Sequence, residues 1–111
     1  MKRSVTPEEL RQWLDAGREL TILDVRKTED YAADSVMLPQ ARWMNPERVA
    51  EWNATLTEDV PVVVYCVHGH AVSQGVVDYL RANGFDASTL EGGIEDWKEA
   101  GGATVGKRIS A

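Results

Sequence analysis

At 111 residues the chain is long enough for one domain with a real core and too short for two. Its 43% hydrophobic content excludes a disordered chain, and a net charge of -6 with a pI near 4.8 argues against a nucleic-acid-binding surface. One cysteine excludes an internal disulfide and fits a reducing compartment. The start, Met1 to Pro7, leads into no apolar signal segment, and no apolar run approaches the roughly 18–20 residues that span a bilayer. The expectation is one domain over 1–111, soluble and cytoplasmic, with no nucleic-acid or membrane partner.

Arg3-Ser4-Val5 reads as a short edge strand. Thr6-Pro7-Glu8-Glu9 is a helix start, with Thr6 as N-cap, Pro7 at the first helical position and Glu9 closing a capping box. Leu10, Trp13 and Leu14 form its apolar face, and Gly17 ends it. Leu20 to Val25 reads as the second strand. Asp24, at its buried end, must be paired or hydrogen-bonded, and Arg26 is near enough to do so. That pair is read as structural, with the ordering of an active loop as the alternative. Lys27 to Ala33 predicts a short helix with Tyr31 inward, and Val36-Met37-Leu38 a brief third strand stopped by Pro39.

Gln40 to Met44 reads as a loop. Asn45-Pro46 restarts a helix as Thr6-Pro7 does, with Val49, Trp52 and Leu56 on one side. Val62 to Cys66 has no polar face and reads as a buried central strand. A helix follows from near Ala71 to Asn83, with Val72, Val76, Tyr79 and Leu80 as its apolar face and Gly84 as its stop. Phe85 to Leu90 alternates as a fifth strand, and Glu91-Gly92-Gly93 opens a last helix carrying Ile94 and Trp97. Lys107 to Ala111 gives little information. Strands alternating with helices imply an α/β fold, a mainly parallel five-stranded sheet with helices on both faces. Ligands in such folds bind beyond the carboxyl ends of the strands, where Asp24, the segment after Leu38, Cys66 and Glu91 all fall.

The lone cysteine sits where the central strand ends, and both histidines of the chain, His68 and His70, lie within four residues of it. A short loop between a strand and a helix N-terminus turns backbone N–H groups inward and gathers the positive end of a helix dipole. If the anion held there is the sulfur of Cys66, the thiol becomes a nucleophile near neutral pH. Bringing a cysteine from about 8.5 to about 6.5–7 requires roughly 2–3 kcal/mol of preferential thiolate stabilisation. A partly buried helix N-terminus supplies up to about 2, and charge-assisted hydrogen bonds from loop amides the remainder. The alternative is a buried, inert thiol. Gly69 is read as a tight-turn residue whose amide faces the anion. A Cys66-His68-His70 metal site is rejected, because three ligands on an anion-cradling loop compete with its inward amides and no fourth ligand is apparent.

In four segments the chain resembles the rhodanese family of sulfurtransferases. These are Leu23-Asp24-Val25-Arg26 with Glu29 and Tyr31; Met37-Leu38-Pro39-Gln40-Ala41, where the family usually shows an Ile-Pro-Gly-Ala-like turn; the Cys66 loop with Gly69; and Leu90 to Trp97. The resemblance implies a rhodanese-like fold and ping-pong chemistry. Cys66 would take the sulfane sulfur of thiosulfate or a persulfide donor as a persulfide and pass it to cyanide or a thiol, a protein thiol included. It implies no metal or organic cofactor. The loop residues Val67, His68, Gly69, His70, Ala71 and Val72 would surround the sulfur, with Arg42 as a further candidate contact. The loop of six residues from Cys66 to Ala71 suits a sulfur atom, whereas phosphatases on this fold have a longer loop closed by Arg. The chain departs from the family at Ala71-Val72, where Arg before Ser or Thr is common and where Ser73 comes one place later. No fixed cation closes the loop, so thiosulfate is expected to bind weakly unless His68, His70 or Arg42 compensates. The alternative to an enzyme is a non-catalytic rhodanese-like module that docks a partner on the same rim.

Overall fold

A computed structural model describes residues 2–107. Five parallel strands form one sheet: β1 (Ser4–Val5), β2 (Thr21–Asp24), β4 (Ala41–Trp43), β5 (Val62–Tyr65) and β6 (Ala87–Leu90), in the order β1-β6-β5-β2-β4. The most apolar strand, β5, is central. Its side chains alternate between two cores. Val62, Val64 and the following Cys66 face one side, with Leu23, Val76, Val77 and Leu80. Val63 and Tyr65 face the other, with Leu10, Ile94 and Trp97.

Helices α1 (Pro7–Asp15) and α5 (Gly93–Glu99) cover the second face; α3 (Val49–Trp52) and α4 (Ala71–Ala82) cover the first. The entry to α1 is as read from sequence: Thr6 Oγ1 accepts from Glu9 N–H at 3.1 Å and Glu9 Oε1 accepts from Thr6 N–H at 3.0 Å. The short α2 (Thr28–Ala33) carries Tyr31, half-buried and stacked on Trp43 with ring centroids 5.1 Å apart.

Three expectations change. Val36-Met37-Leu38 does not join the sheet. Its residues Val36–Met37 form β3, which pairs antiparallel with β7 (Val105–Gly106), a strand the glycine-rich C-terminal segment did not suggest. The expected loop at Gln40 to Met44 instead contains β4, the edge strand, with Arg42 opposite Leu23. Pro39 and Gln40 make the difference. Gln40 has φ 66°, Ala41 N–H donates back to Leu38 C=O at 3.3 Å, and this turn redirects the chain onto β2. A three-residue edge strand is too short to display a period. Finally, Asn45 does cap the next segment, accepting from Glu47 N–H at 3.0 Å, but no long helix follows. A 3-10 turn over Pro46–Arg48 precedes α3. The Asn53 amide then donates to the carbonyls of Val49 and Ala50, and the Thr55 hydroxyl to that of Trp52, closing the helix after one turn.

Candidate active site at the carboxyl edge of the sheet

Cys66 follows β5 directly and opens the loop that leads into α4. Its residue is only 7% exposed, yet it lines a surface depression of about 170 Å³ together with Arg26, Lys27, Asp30, Val67, His68, His70, Ala71 and Val72. Cys66 is therefore part of the core wall and also of the lining of the depression. The loop is locked from beneath by α5: Ile94 N–H donates to Cys66 C=O at 3.0 Å and Glu95 N–H to Val67 C=O at 3.1 Å. In a trans peptide the N–H points opposite to its C=O. Both carbonyls face α5, so the N–H groups of Val67 and His68 turn to the opposite side, where the Cys66 side chain packs. The N–H groups of Val67, His68, Gly69 and His70 have no carbonyl acceptor among the described residues.

Glycines make this close approach possible. Gly69 lies at φ 76°, and a Cβ on it would stand 2.9 Å from Gly92 N and 3.0 Å from Leu90 O. Gly93 lies at φ 62°, and a Cβ there would stand 2.4 Å from Val67 O and 2.5 Å from Cys66 O. Gly92 and Gly93 thus pack their backbone directly against the loop, and this sets the orientation of the peptides after Cys66.

Ser73, fully buried, places Oγ 3.1 Å from Cys66 Sγ. Its other contact, His70 C=O, is at 3.4 Å, long for a hydroxyl donor. When the sulfur is ionised the Ser73 hydroxyl donates to it; when it carries a proton, the thiol donates to Ser73 Oγ. From sequence Ser73 stands out only as a serine one place later than the family's, not as a neighbour of the sulfur, although it begins the i, i+3, i+4, i+7 row Ser73, Val76, Val77, Leu80 that is the buried face of α4. Val72 and Tyr79, assigned to that face, lie at its margins, half-buried and 37% exposed.

Beside the loop stands a buried charge network. Arg26 donates to both carboxylate oxygens of Asp24 (Nε at 3.0 and 3.1 Å, Nη2 at 2.7 Å), to Asp34 at 2.9 Å and to Val36 C=O at 3.0 Å. Tyr65 O–H donates to Asp24 at 2.9 Å and accepts from Leu38 N–H at 3.2 Å; Lys98 adds a contact to Asp34 at 2.7 Å. Burial works against the Arg26 charge, but the Asp24 hydrogen bonds and charge outweigh it and hold the guanidinium above its ordinary range. Burial, then the Asp24 charge, pushes the Tyr65 hydroxyl up. The pairing expected of Asp24 and Arg26 is present, and the structure adds that Arg26 also borders the Cys66 depression. With both Asp24 and Asp34 on it, Arg26 brings little unbalanced positive charge there.

The structure brings Cys66, Val67, His68, His70, Ala71 and Val72 together, with Gly69 as the turn beneath them. The two histidines are exposed, ring centroids 6.3 Å apart. Arg42 is exposed on β4 and does not border the depression; its direction is set by the strand, which the loop reading had missed. Lys27 and Asp30, not singled out from sequence, do border it. Among the described residues no group of three or more His, Cys, Asp or Glu could hold a metal ion, and no helix is long and apolar enough to cross a membrane.

Comparison with known proteins agrees with this architecture. The family model for the rhodanese-like domain matches residues 6–100. The chain is 34% identical over 96 residues to a probable adenylyltransferase/sulfurtransferase, MoeZ, of Mycobacterium tuberculosis, covering 85% of this chain but only 24% of that protein. It is 32% identical over 95 residues to the thiosulfate sulfurtransferase GlpE of Pseudomonas aeruginosa, covering 85% of this chain and 82% of that one. Among solved structures, the rhodanese-like domain of an Anabaena protein matches with a TM-score of 0.82 at 30% identity, covering 100% of this chain and 86% of that one. A rhodanese-related protein of Thermoplasma volcanium matches with a TM-score of 0.80 at 27% identity, covering 93% and 97%. The chain belongs to the rhodanese-like domain family.

Proposed function

We propose that the protein is a sulfurtransferase that moves a sulfane sulfur from thiosulfate or a persulfide donor to a thiol or cyanide through a persulfide on Cys66. The observation that carries the reading is the setting of Cys66: a strand-end cysteine in the lining of a depression, a buried hydroxyl 3.1 Å from its sulfur, and following loop amides without carbonyl partners. The thiolate attacks the outer sulfur of the donor. The donor's S–S bond breaks, and its inner group leaves with the electron pair, as sulfite from thiosulfate. Cyanide or a thiolate then attacks the outer sulfur of the Cys66 persulfide and releases the Cys66 thiolate. The amides of Val67 to Val72 and the Ser73 hydroxyl are the donors that stabilise anionic sulfur in both steps. No metal or organic cofactor enters this chemistry. The compartment we assign is the reducing cytoplasm, where a single free thiol persists.

The name of the GlpE relatives supports thiosulfate as one donor. Turnover of thiosulfate and cyanide to thiocyanate and sulfite, with parallel double-reciprocal lines, is the expected result. Absence of thiocyanate with both thiosulfate and an organic persulfide contradicts the reading. It would favour the non-catalytic docking module, for which the loop's lack of a closing Arg at Ala71 or Val72 speaks.

A further inference from the structure

The depression over Cys66 has two walls. One is the loop between Cys66 and Val72; the other is Arg26, Lys27 and Asp30. Arg26 is fixed by Asp24, and it also meets Asp34 at 2.9 Å. That second ion pair closes the base of the segment between Arg26 and Asp34. The segment itself, Lys27 to Ala33, is α2 with its N-cap, and little of its own chemistry holds it. Six residues are well below the roughly 12–15 at which an isolated helix is already marginal. None of them is buried, and no side chain caps the N-terminus. The last turn carries no basic residue to face the negative end of the helix.

The cation that α2 lacks comes from far along the chain. Half-buried Lys107 donates from Nζ to Tyr31 C=O in the last turn of α2, and Nζ lies 4.0 Å from the centroid of the Tyr31 ring. Lys107 N–H donates to Ser35 C=O at 3.0 Å, continuing the pairing of β7 with β3 just past α2. β3 pairs with no strand of the main sheet, so β7 is what holds it. Tyr31 also stacks on Trp43 of β4. We propose that Val105 to Lys107 is a latch on a flap, Lys27 to Ala33, and that Lys107 is its positioning residue. With the latch engaged, Lys27 and Asp30 stand beside the sulfur, and the depression of about 170 Å³ is smaller than the roughly 300 Å³ at which pockets enclose an organic molecule. With the latch released, the flap swings on its Arg26–Asp34 base and Cys66 opens to larger reactants. The inference goes beyond the sulfurtransferase reading: the latch governs access to the thiol whatever the thiol does.

Lys107→Met keeps the length of the side chain and removes its ammonium; Lys107→Arg keeps a donor and a cation. In native-state hydrogen exchange the amides of Tyr31 and Asp34, bonded to Lys27 C=O and Tyr31 C=O, report the flap. Those of Val25 and Val62, bonded to Tyr65 C=O and Asp86 C=O, report the sheet. In the wild type the flap amides are expected to exchange by local opening. They should be at least about 100-fold less protected than the sheet amides and almost insensitive to urea. Lys107→Met is expected to lower their protection at least about fivefold further, and Lys107→Arg to restore it. Access to Cys66 is read with N-ethylmaleimide and with a maleimide carried on polyethylene glycol. The rate ratio of the large reagent to the small one is expected to rise about threefold or more in Lys107→Met and to return in Lys107→Arg. Flap amides that share the protection and urea dependence of the sheet, or that Lys107→Met leaves unchanged, overturn the latch. Faster flap exchange with an unmoved reagent ratio overturns its control of Cys66. Neither readout involves sulfur transfer, so absence of that activity overturns the sulfurtransferase reading alone.

Discussion

Ser73 Oγ lies 3.1 Å from Cys66 Sγ across seven residues of chain, bridging the end of the central strand and the first turn of the helix that follows it. The two groups are hydrogen-bonded in either state of the sulfur: the hydroxyl donates to the thiolate, and the thiol donates to Ser73 Oγ. Ser73→Ala removes the hydroxyl and little volume. A hydrogen bond to a charged group is worth about 1.5–3 kcal/mol. Ser73→Ala is therefore expected to slow Cys66 alkylation by iodoacetamide, and sulfur loading, by about tenfold or more at neutral pH. Ser73→Thr, which restores the hydroxyl, should recover part of the rate. Equal alkylation rates in wild type and Ser73→Ala would remove Ser73 from the site.

Gly93 and Gly17 both have positive φ but different surroundings. A Cβ at Gly17 meets nothing within 4 Å, whereas at Gly93 it collides with the carbonyls of Val67 and Cys66. Gly17→Ala should cost about 1 kcal/mol, the left-handed penalty alone. Gly93→Ala should cost about 2 kcal/mol or more beyond that and should also lower sulfur transfer, because the loop peptides must move. Denaturant melts of the two variants side by side check the difference.

Asp34 accepts from both Arg26 and Lys98. Its burial opposes ionisation, but the Lys98 hydrogen bond and the Val36 N–H, with the two positive charges, hold its carboxyl below the ordinary 3.8. A carboxylate with a lowered folded-state pKa contributes stability above its unfolded value, and that contribution is lost as pH falls through the folded one. Asp34→Asn should therefore be less stable than wild type by about 1–3 kcal/mol at neutral pH. The gap should stay level down to about pH 5 and close progressively below 3.8. Urea melts across pH 2–7 measure it; a gap unchanged down to pH 2 would contradict the assigned pairing.

Much of the framework was legible in the chain. The Thr6-Pro7-Glu9 entry, the Val62 to Tyr65 strand and the Cys66 turn each display their structure within a few residues. What stayed hidden depends on distant partners. β3 exists because β7 comes back to it from a far point in the sequence, and β4 because the Gln40 turn sets it against β2. In the site, the Cys66 loop was found by its residue types. Ser73, Lys27 and Asp30 were not, since they join it only when α4 and α2 have packed. Arg42 looked like a rim residue because its segment was read as loop; on a strand it points to solvent.

The same turn yields a prediction on stability. Gln40 occupies the left-handed region, φ 66°, at the position of the Leu38–Ala41 turn that favours glycine. A non-glycine residue there costs about 1–2 kcal/mol, partly offset by the extra chain entropy glycine brings to the unfolded state. Gln40→Gly is expected to raise stability by about 0.5–1 kcal/mol and the melting temperature with it. A lower melting temperature would contradict the assigned turn.

The central claim is that Cys66 carries the transferred sulfur. Intact mass spectrometry after incubation with thiosulfate, and separately with glutathione persulfide, tests it most directly. The wild type is expected to gain one sulfur atom, removed by cyanide and absent in Cys66→Ser. No gain with either donor, or the same gain in Cys66→Ser, would contradict it.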